Sequence, residues 1–192
     1  PVGPYYKSDG LGVISLAVSE IDRAAPNGTG CYKVGANYAG GLLATRKAQD
    51  KGAHEALYLD SAEGRYIDEA GSANIVIAMK DGSFITPNSN AILPSITRKS
   101  LMVIAREQLH LKTEARPIDL RLEISQFEEA AACGTAAVLA PVGRILVDQQ
   151  WHAIYKDGQT VGPIMQELYD RLVGIQMGEL SDAFDWCHEV KF

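Results

Sequence analysis

The chain has 192 residues, 46% hydrophobic and 22% charged, the profile of a soluble globular protein with core enough for one domain and a small appendage. A net charge of -6, with no cluster of lysine or arginine, excludes a general nucleic-acid surface. The longest apolar run, around "EAAACGTAAVLAPVG", is broken by glycine and proline and falls short of the roughly 20 apolar residues that cross a bilayer.

In chain order, "PVGPYY" reads as a short extended segment and "KSDGLG" as a loop. "VISLAVS" predicts a buried strand and "DRAAPNGTG" a long turn region. "NYAGGLLATRKAQDKG" has helical spacing, with Tyr38, Leu42 and Leu43 toward one apolar face and Gly52 closing the C-terminus. "EALYLD" is a strand, "SAEGR" a turn, and "YIDEAG" and "NIVIAMK" two more strands. Asp81-Gly82 marks a hairpin between "NIVIAMK" and "SFITP". After Pro94-Ser95, apolar Ile96, Leu101, Ile104, Ala105 and Leu109 predict an amphipathic helix over "ITRKSLMVIAREQL". "LKTEARPID" reads as a strand, "LRLEISQFEE" as a short helix, and "AAACGTAAVLAPVGRILVD" as strand, turn and strand. "VGPIMQELYDRLVGIQMG" is the last strong helix. Runs of strands punctuated by about three helices predict an α/β or α+β fold with substantial sheet.

Cys31, Cys133 and Cys187 are an odd, widely spaced trio in a chain that needs no staples, and read as free thiols in a reducing compartment. The first residue is Pro1 rather than methionine, so the sequence reads as truncated or processed at its N-terminus.

Three segments hold parts that suit a phosphate-bearing, electron-withdrawing cofactor. Lys33 lies among Gly30, Gly35, Gly40 and Gly41, either as a solvated loop charge or as an amine held against an aldehyde. Ile96 and Thr97 open a helix, where backbone N–H groups favour a phosphate, although a helix start after Pro-Ser is equally ordinary capping. Glu69 ends a strand before a Gly-Ser turn, either solvated or paired with a protonated ring nitrogen. Tyr38 reads as core or ligand, and "CGTAA" as a tight turn. Composition and spacing stop at an α/β domain with a hint of a phosphate site.

Six landmarks in order carry the reading further: "PVGPYY", "YKVGANYAGG", "IDEAGSANIVI", "TPNSNAILPSITRKSL", "CGTAAVLAPVGRI" and "GIQMGELSDAFDW". Together they resemble the C-terminal large domain of the branched-chain amino-acid aminotransferases, which are fold-type IV pyridoxal-phosphate (PLP) enzymes. The resemblance implies a D-amino-acid aminotransferase-like fold whose large domain has a barrel-like sheet flanked by helices. By it, residues 1–14 are the end of a small N-terminal domain and the interdomain loop, and 15–192 the large PLP-binding domain.

The resemblance also implies roles. Lys33 matches the catalytic lysine that holds PLP through its amine and shuttles the substrate's proton. Tyr38 matches the tyrosine that hydrogen-bonds the cofactor's phenolic oxygen, and Glu69 the acid that keeps the pyridine nitrogen protonated. Ser72 stands near the ring, and Ile96, Thr97 and Thr135 match ligands of the phosphate. The amides of Thr135 and Ala136 match the turn that receives the substrate's α-carboxylate; no residue is assigned to a metal. Departures are small for small: Ala36 for the second glycine of G-G-N-Y, Ser72 for a threonine, and Ser95 for the glycine of L-P-G-[VI]-T-R. The C-x-x-C pair of some relatives is absent, since Ala137 to Ala140 fill its place.

The implied activity is transamination of leucine, isoleucine or valine with 2-oxoglutarate or glutamate. The alternatives are a D-amino-acid aminotransferase or aminodeoxychorismate lyase of the same fold, or a non-catalytic domain that retains it. "GIQMGELSDAFDW" favours the branched-chain group. Further expectations are a missing N-terminal domain that completes the side-chain pocket, a homodimer or higher homo-oligomer, a cytoplasmic location, and no nucleic-acid or membrane partner.

Overall fold

The computed structural model describes residues 11–190. The segment "PVGPYY" and most of the proposed boundary stretch 1–14 lie outside the described residues.

Nine strands among the described residues build one sheet: β1 (Ile14–Val18), β2 (Glu55–Leu59), β3 (Ile67–Ala70), β4 (Asn74–Met79), β5 (Ser83–Pro87), β6 (Lys112–Arg116), β7 (Phe127–Gly134), β8 (Val138–Val147) and β9 (Gln150–Ala153). The helices are α1 (Gly35–Asp50), α2 (Ile96–Glu107), the single turn α3 (Leu120–Glu123) and α4 (Pro163–Gln176). Strand order is β3-β2-β1-β8-β7-β4-β5-β6, with β9 paired to β8. Helix α1 makes the crossover between parallel neighbours β1 and β2, and α2 the crossover between β5 and β6. Strand β8 joins the two halves: its first residues pair antiparallel with β7, and the following ones run parallel to β1.

The sheet curls on itself. Ile67 and Ala70 of β3, at one edge, share a core with Ile85 of β5 near the other. The Ile67 amide donates to the Ile118 carbonyl across that gap, 2.9 Å away. Alternation along the strands sorts the two faces. In β4, Ile75, Ile77 and Met79 enter the inner core, while Val76 and Ala78 face Leu101 and Ile104 of α2 and Met165 and Leu168 of α4. Helix α1 covers the outer face of the other half through Ala44 and Ala48, against Ala17, Ala56 and Tyr58. Glu129 of β7 is buried and accepts from the amides of Ile164 (3.1 Å) and Met165 (2.8 Å), which anchors the positive end of α4.

Three sequence expectations need correction, and one strand was not expected at all. The apolar face expected on α1 is not its packed face: Leu42 is 78% exposed and Tyr38 and Leu43 are exposed too, because the small side chains of Ala44 and Ala48 let the helix sit close on the sheet. Ile96 does not join the buried stripe of α2; as the first helical residue it lies exposed. The helix expected over "LRLEISQFEE" stops after a 3-10 turn at Ile124–Gln126, and Phe127 already begins β7 with its ring in the inner core. Strand β9 has no counterpart in the sequence reading; it returns on β8 after Asp148 and Gln149, both at positive φ.

Candidate active site

Lys33 lies at the end of the long loop between β1 and α1, and Asn37 of the first helical turn pins that loop. Its side-chain amide donates to the carbonyls of Thr29 (2.8 Å) and Tyr32 (2.7 Å), and its Oδ1 accepts from the Thr29 hydroxyl (3.0 Å). Helical geometry then carries Tyr38 under the lysine, with Lys33 Nζ 3.1 Å from Tyr38 Oη. Both side chains are exposed. Gly30 has to be glycine, because the Ala91 carbonyl occupies the place of a Cβ.

Glu69 is the opposite case. It is 3% exposed in β3, and its Oε1 accepts from Asn74 Nδ2 and from the Leu93 amide, each at 2.8 Å. Its Oε2 is 3.2 Å from Arg23 Nε in an ion pair that is buried on both sides. Burial pushes the Glu69 carboxyl up to about 7, against the opposing pull of Arg23 and the Leu93 amide. Asp68 beside it is also buried and also raised, first by burial. Among the described residues Arg23 is paired with Glu69 alone; Asp68 feels its charge only after the lowering effect of a Ser89 hydrogen bond.

Ser72 sits in the turn between β3 and β4, after Gly71 at φ 56°. At α2 the Ser95 hydroxyl accepts from the Arg98 amide at 3.2 Å, leaving the Ile96 and Thr97 amides without an intrahelical acceptor. Thr135 and Ala136 form the exposed turn between β7 and β8.

Two cavities collect these groups. One, of about 440 Å³, is lined by Tyr38, Glu69, Arg23, Tyr58, Ser72 and Leu93 among others. The second, of about 390 Å³, is lined by Lys33, Ser72, Ser95, Ile96, Thr135 and Ala136 among others. They meet at Ser72 and Leu93, and the Lys33–Tyr38 contact links them a second time. Every sequence-predicted site residue except Thr97 lines one of the two; Thr97 is half-buried just inside the helix start.

Sequence reasoning missed Arg23, which it placed in a plain turn region, and gave no role to Asn37 or Asn74. A signal existed for Arg23: a strand carboxylate that becomes buried needs a counter-charge, and "DRAAPNGTG" holds a cation just before the lysine.

Residues 1–145 match the family described as amino-transferase class IV. The chain belongs to that family. It is 45% identical over 192 residues to the branched-chain-amino-acid aminotransferase of Helicobacter pylori (strain J99), covering 99% of this chain and 55% of the relative. The crystal structure of the Escherichia coli branched-chain amino acid aminotransferase superposes with a TM-score of 0.83 at 30% identity, over 97% of this chain and 59% of that one. The branched-chain amino acid aminotransferase from Thermobaculum terrenum, solved in its PLP form, superposes with a TM-score of 0.75 at 30% identity, over 86% of this chain and 52% of that one. The curled sheet with its outer helices is therefore the fold-type IV architecture of these enzymes. The chain spans about half the length of the curated relatives it matches.

Proposed function

We propose that the protein carrying this chain is a PLP-dependent aminotransferase that moves the amino group between leucine, isoleucine or valine and 2-oxoglutarate. The observation that carries the reading is the site itself. An amine in contact with a phenol, a buried carboxylate of raised proton affinity, and the free amides of a helix start line two adjoining cavities. This donor set fits PLP: the amine its aldehyde, the phenol its phenolic oxygen, Glu69 its ring nitrogen, and the amides of Ile96 and Thr97 with the Thr135 hydroxyl its phosphate. Asn74 Oδ1, buried without a hydrogen-bond partner among the described residues, adds a polar group at the same wall.

PLP, when bound, supplies an aldehyde that condenses with amines and a ring that draws electrons from the adjoining carbon. The residues of the chain do the rest. Lys33 would hold the cofactor through its amine and, once the substrate's amine has taken its place, would carry the proton between the substrate's α-carbon and the carbon that bore the aldehyde. The Tyr38 hydroxyl orients that amine. Glu69, as a carboxylate, holds a proton on the ring nitrogen. Ser72 packs at the junction of the two cavities, and the Thr135 and Ala136 amides receive the substrate's carboxylate.

The same proposal takes 15–192 as the large domain, with a further domain and a second subunit closing the site. The exposed apolar strip of Tyr32, Val34, Tyr38, Leu42 and Leu43 beside the cavities supports such a covering. No described helix is long and apolar enough to cross a membrane, and the proposed location is the cytoplasm.

The test is an amino-transfer assay with the whole natural protein, PLP and 2-oxoglutarate. Glutamate formation with L-leucine, L-isoleucine and L-valine, and none with D-alanine, is the expected result. Transfer from D-alanine alone, or lyase activity on aminodeoxychorismate, contradicts it.

A further inference from the structure

Arg23 belongs to none of the groups that the cofactor reading places on PLP, yet it touches three parts of the cradle. Its side chain is 9% exposed. Nε lies 3.2 Å from Glu69 Oε2. Its Nη2 donates to the Gly30 carbonyl at 3.2 Å, three residues before Lys33, and also to the Ala91 carbonyl. Ala91 lies on the segment that leads from β5 into the start of α2, where the Ile96 and Thr97 amides stand. One guanidinium thus spans the ring-nitrogen carboxylate, the lysine loop and the approach to the phosphate amides. The Nη2 arm donates to both carbonyls while the Nε edge meets Glu69 as a charge contact without a hydrogen bond, a division of contacts that a planar guanidinium can hold and an ammonium on a flexible stem cannot.

The charges around Glu69 sharpen the point. Asp68 opposes a second negative charge there, while the Tyr58 hydroxyl and the buried Cys133 thiol, both raised first by burial, stay neutral and add no charge. Arg98 is another cation within reach of Glu69, but its guanidinium donates to the Pro87 carbonyl at 2.8 Å, and its effect on the carboxyl is smaller than that of Arg23. The two hydrogen bonds to Oε1 come from neutral donors. Arg23 is the largest of the influences that oppose the effect of burial on Glu69, so its loss would carry the carboxyl further above neutral, and a neutral carboxylic acid cannot hold a proton on a ring nitrogen.

We propose that Arg23 is the positioning residue of this site: its paired charge favours the ionised form of Glu69 that faces the ring nitrogen, and its two carbonyl contacts fix the lysine and phosphate loops to the same point. The proposal rests on the PLP reading for its purpose, and on the buried ion pair and two carbonyl contacts for its substance.

The test uses the whole natural protein with Arg23→Gln and Arg23→Lys. The Glu69 carboxyl is titrated by carbon-13 NMR in the cofactor-free protein, and PLP binding is read from visible absorbance at pH 7.5. Arg23→Gln is expected to raise the Glu69 midpoint by about one pH unit or more and to weaken PLP binding about tenfold. Arg23→Lys keeps a cation but loses the fork, so the midpoint is expected within about half a unit of wild type while PLP binding weakens about threefold. A residue that merely supports the fold lowers the melting temperature and leaves the Glu69 midpoint alone; that outcome in Arg23→Gln overturns the proposal. If the glutamine variant does not fold, the equally neutral Arg23→Met takes its place, and an unmoved Glu69 midpoint there overturns the proposal equally. Failure of the wild-type protein to take up PLP sinks the functional reading instead, and the Glu69 titration still decides the role of Arg23.

Discussion

The two ends of the candidate site are built differently. At the Glu69 end the chain supplies everything: the carboxyl is buried, holds two hydrogen bonds at 2.8 Å and faces a guanidinium that is itself buried. At the Lys33 end the amine, the Tyr38 phenol and the Thr135–Ala136 turn are exposed, and one 3.1 Å contact holds the pair together. The difference teaches where each kind of precision comes from. Charge control needs low dielectric and fixed partners, so it is placed in the sheet. In the proposed reading, substrate contact would need access, which the exposed loops at the Lys33 end offer.

The largest expected effect lies at the open end. Lys33→Ala removes the proposed proton carrier as well as the covalent anchor, so amino transfer should fall by about 10³-fold or more, with loss of the visible absorbance of lysine-bound PLP. Retained activity would show that the exposed end is not the reacting end.

The closed end should declare itself in pH-dependent stability. With its folded proton affinity raised to about 7 by burial, Glu69 binds more protons in the folded state than in the unfolded one. Its contribution is therefore fully present at acid pH, below the ordinary carboxylate range, and is lost as pH rises through 7. In the cofactor-free protein this amounts to about 3 kcal/mol between pH 4.5 and pH 8, and Asp68 and Glu129, raised in the same direction, add to it. Denaturant unfolding at a series of pH values should show the slope, and Glu69→Gln should flatten most of it. A slope unchanged in that variant would mean that the buried carboxylate is not the titrating group.

Asn37 ties the open end to the helix, and its three hydrogen bonds to the Thr29–Tyr32 turn would be lost in Asn37→Ala. The expected cost is about 2 kcal/mol of stability, with PLP binding weakened more than folding requires, because the lysine loop loses its anchor. Equal losses in stability and in cofactor binding would remove that distinction.

The smallest effect concerns the bare strip beside the site. Leu42, 78% exposed here, should cost about 1 kcal/mol on change to serine in the whole protein if another domain or subunit covers it. A strip that stays in water would give no measurable change in melting temperature.

How much of this was legible follows the same division. Strand β4 and helix α2 announced themselves, the first by a continuous apolar run between turn residues, the second by a stripe of Leu101, Ile104 and Ala105 behind Pro94-Ser95. Helix α1 was legible as a helix but not in orientation, because its packed residues are alanines and its largest apolar side chains face out. Strand β9 is four residues long, largely polar, and follows a turn without glycine, so no periodic signal marks it. The residues placed at the site were found through family motifs rather than through spacing. What no local pattern could give is the environment of Glu69: Arg23 and Leu93 reach it from distant parts of the chain, and burial is a property of the folded sheet.

The central claim is that Lys33 is the amine that holds PLP, and one measurement addresses it directly. The whole natural protein is mixed with PLP, its visible spectrum recorded, the lysine linkage reduced with borohydride, and the modified peptide located by mass mapping. The account predicts a distinct absorbance band and a label on Lys33 alone. A label scattered over surface lysines, or fixed on a lysine elsewhere in the protein, would contradict it.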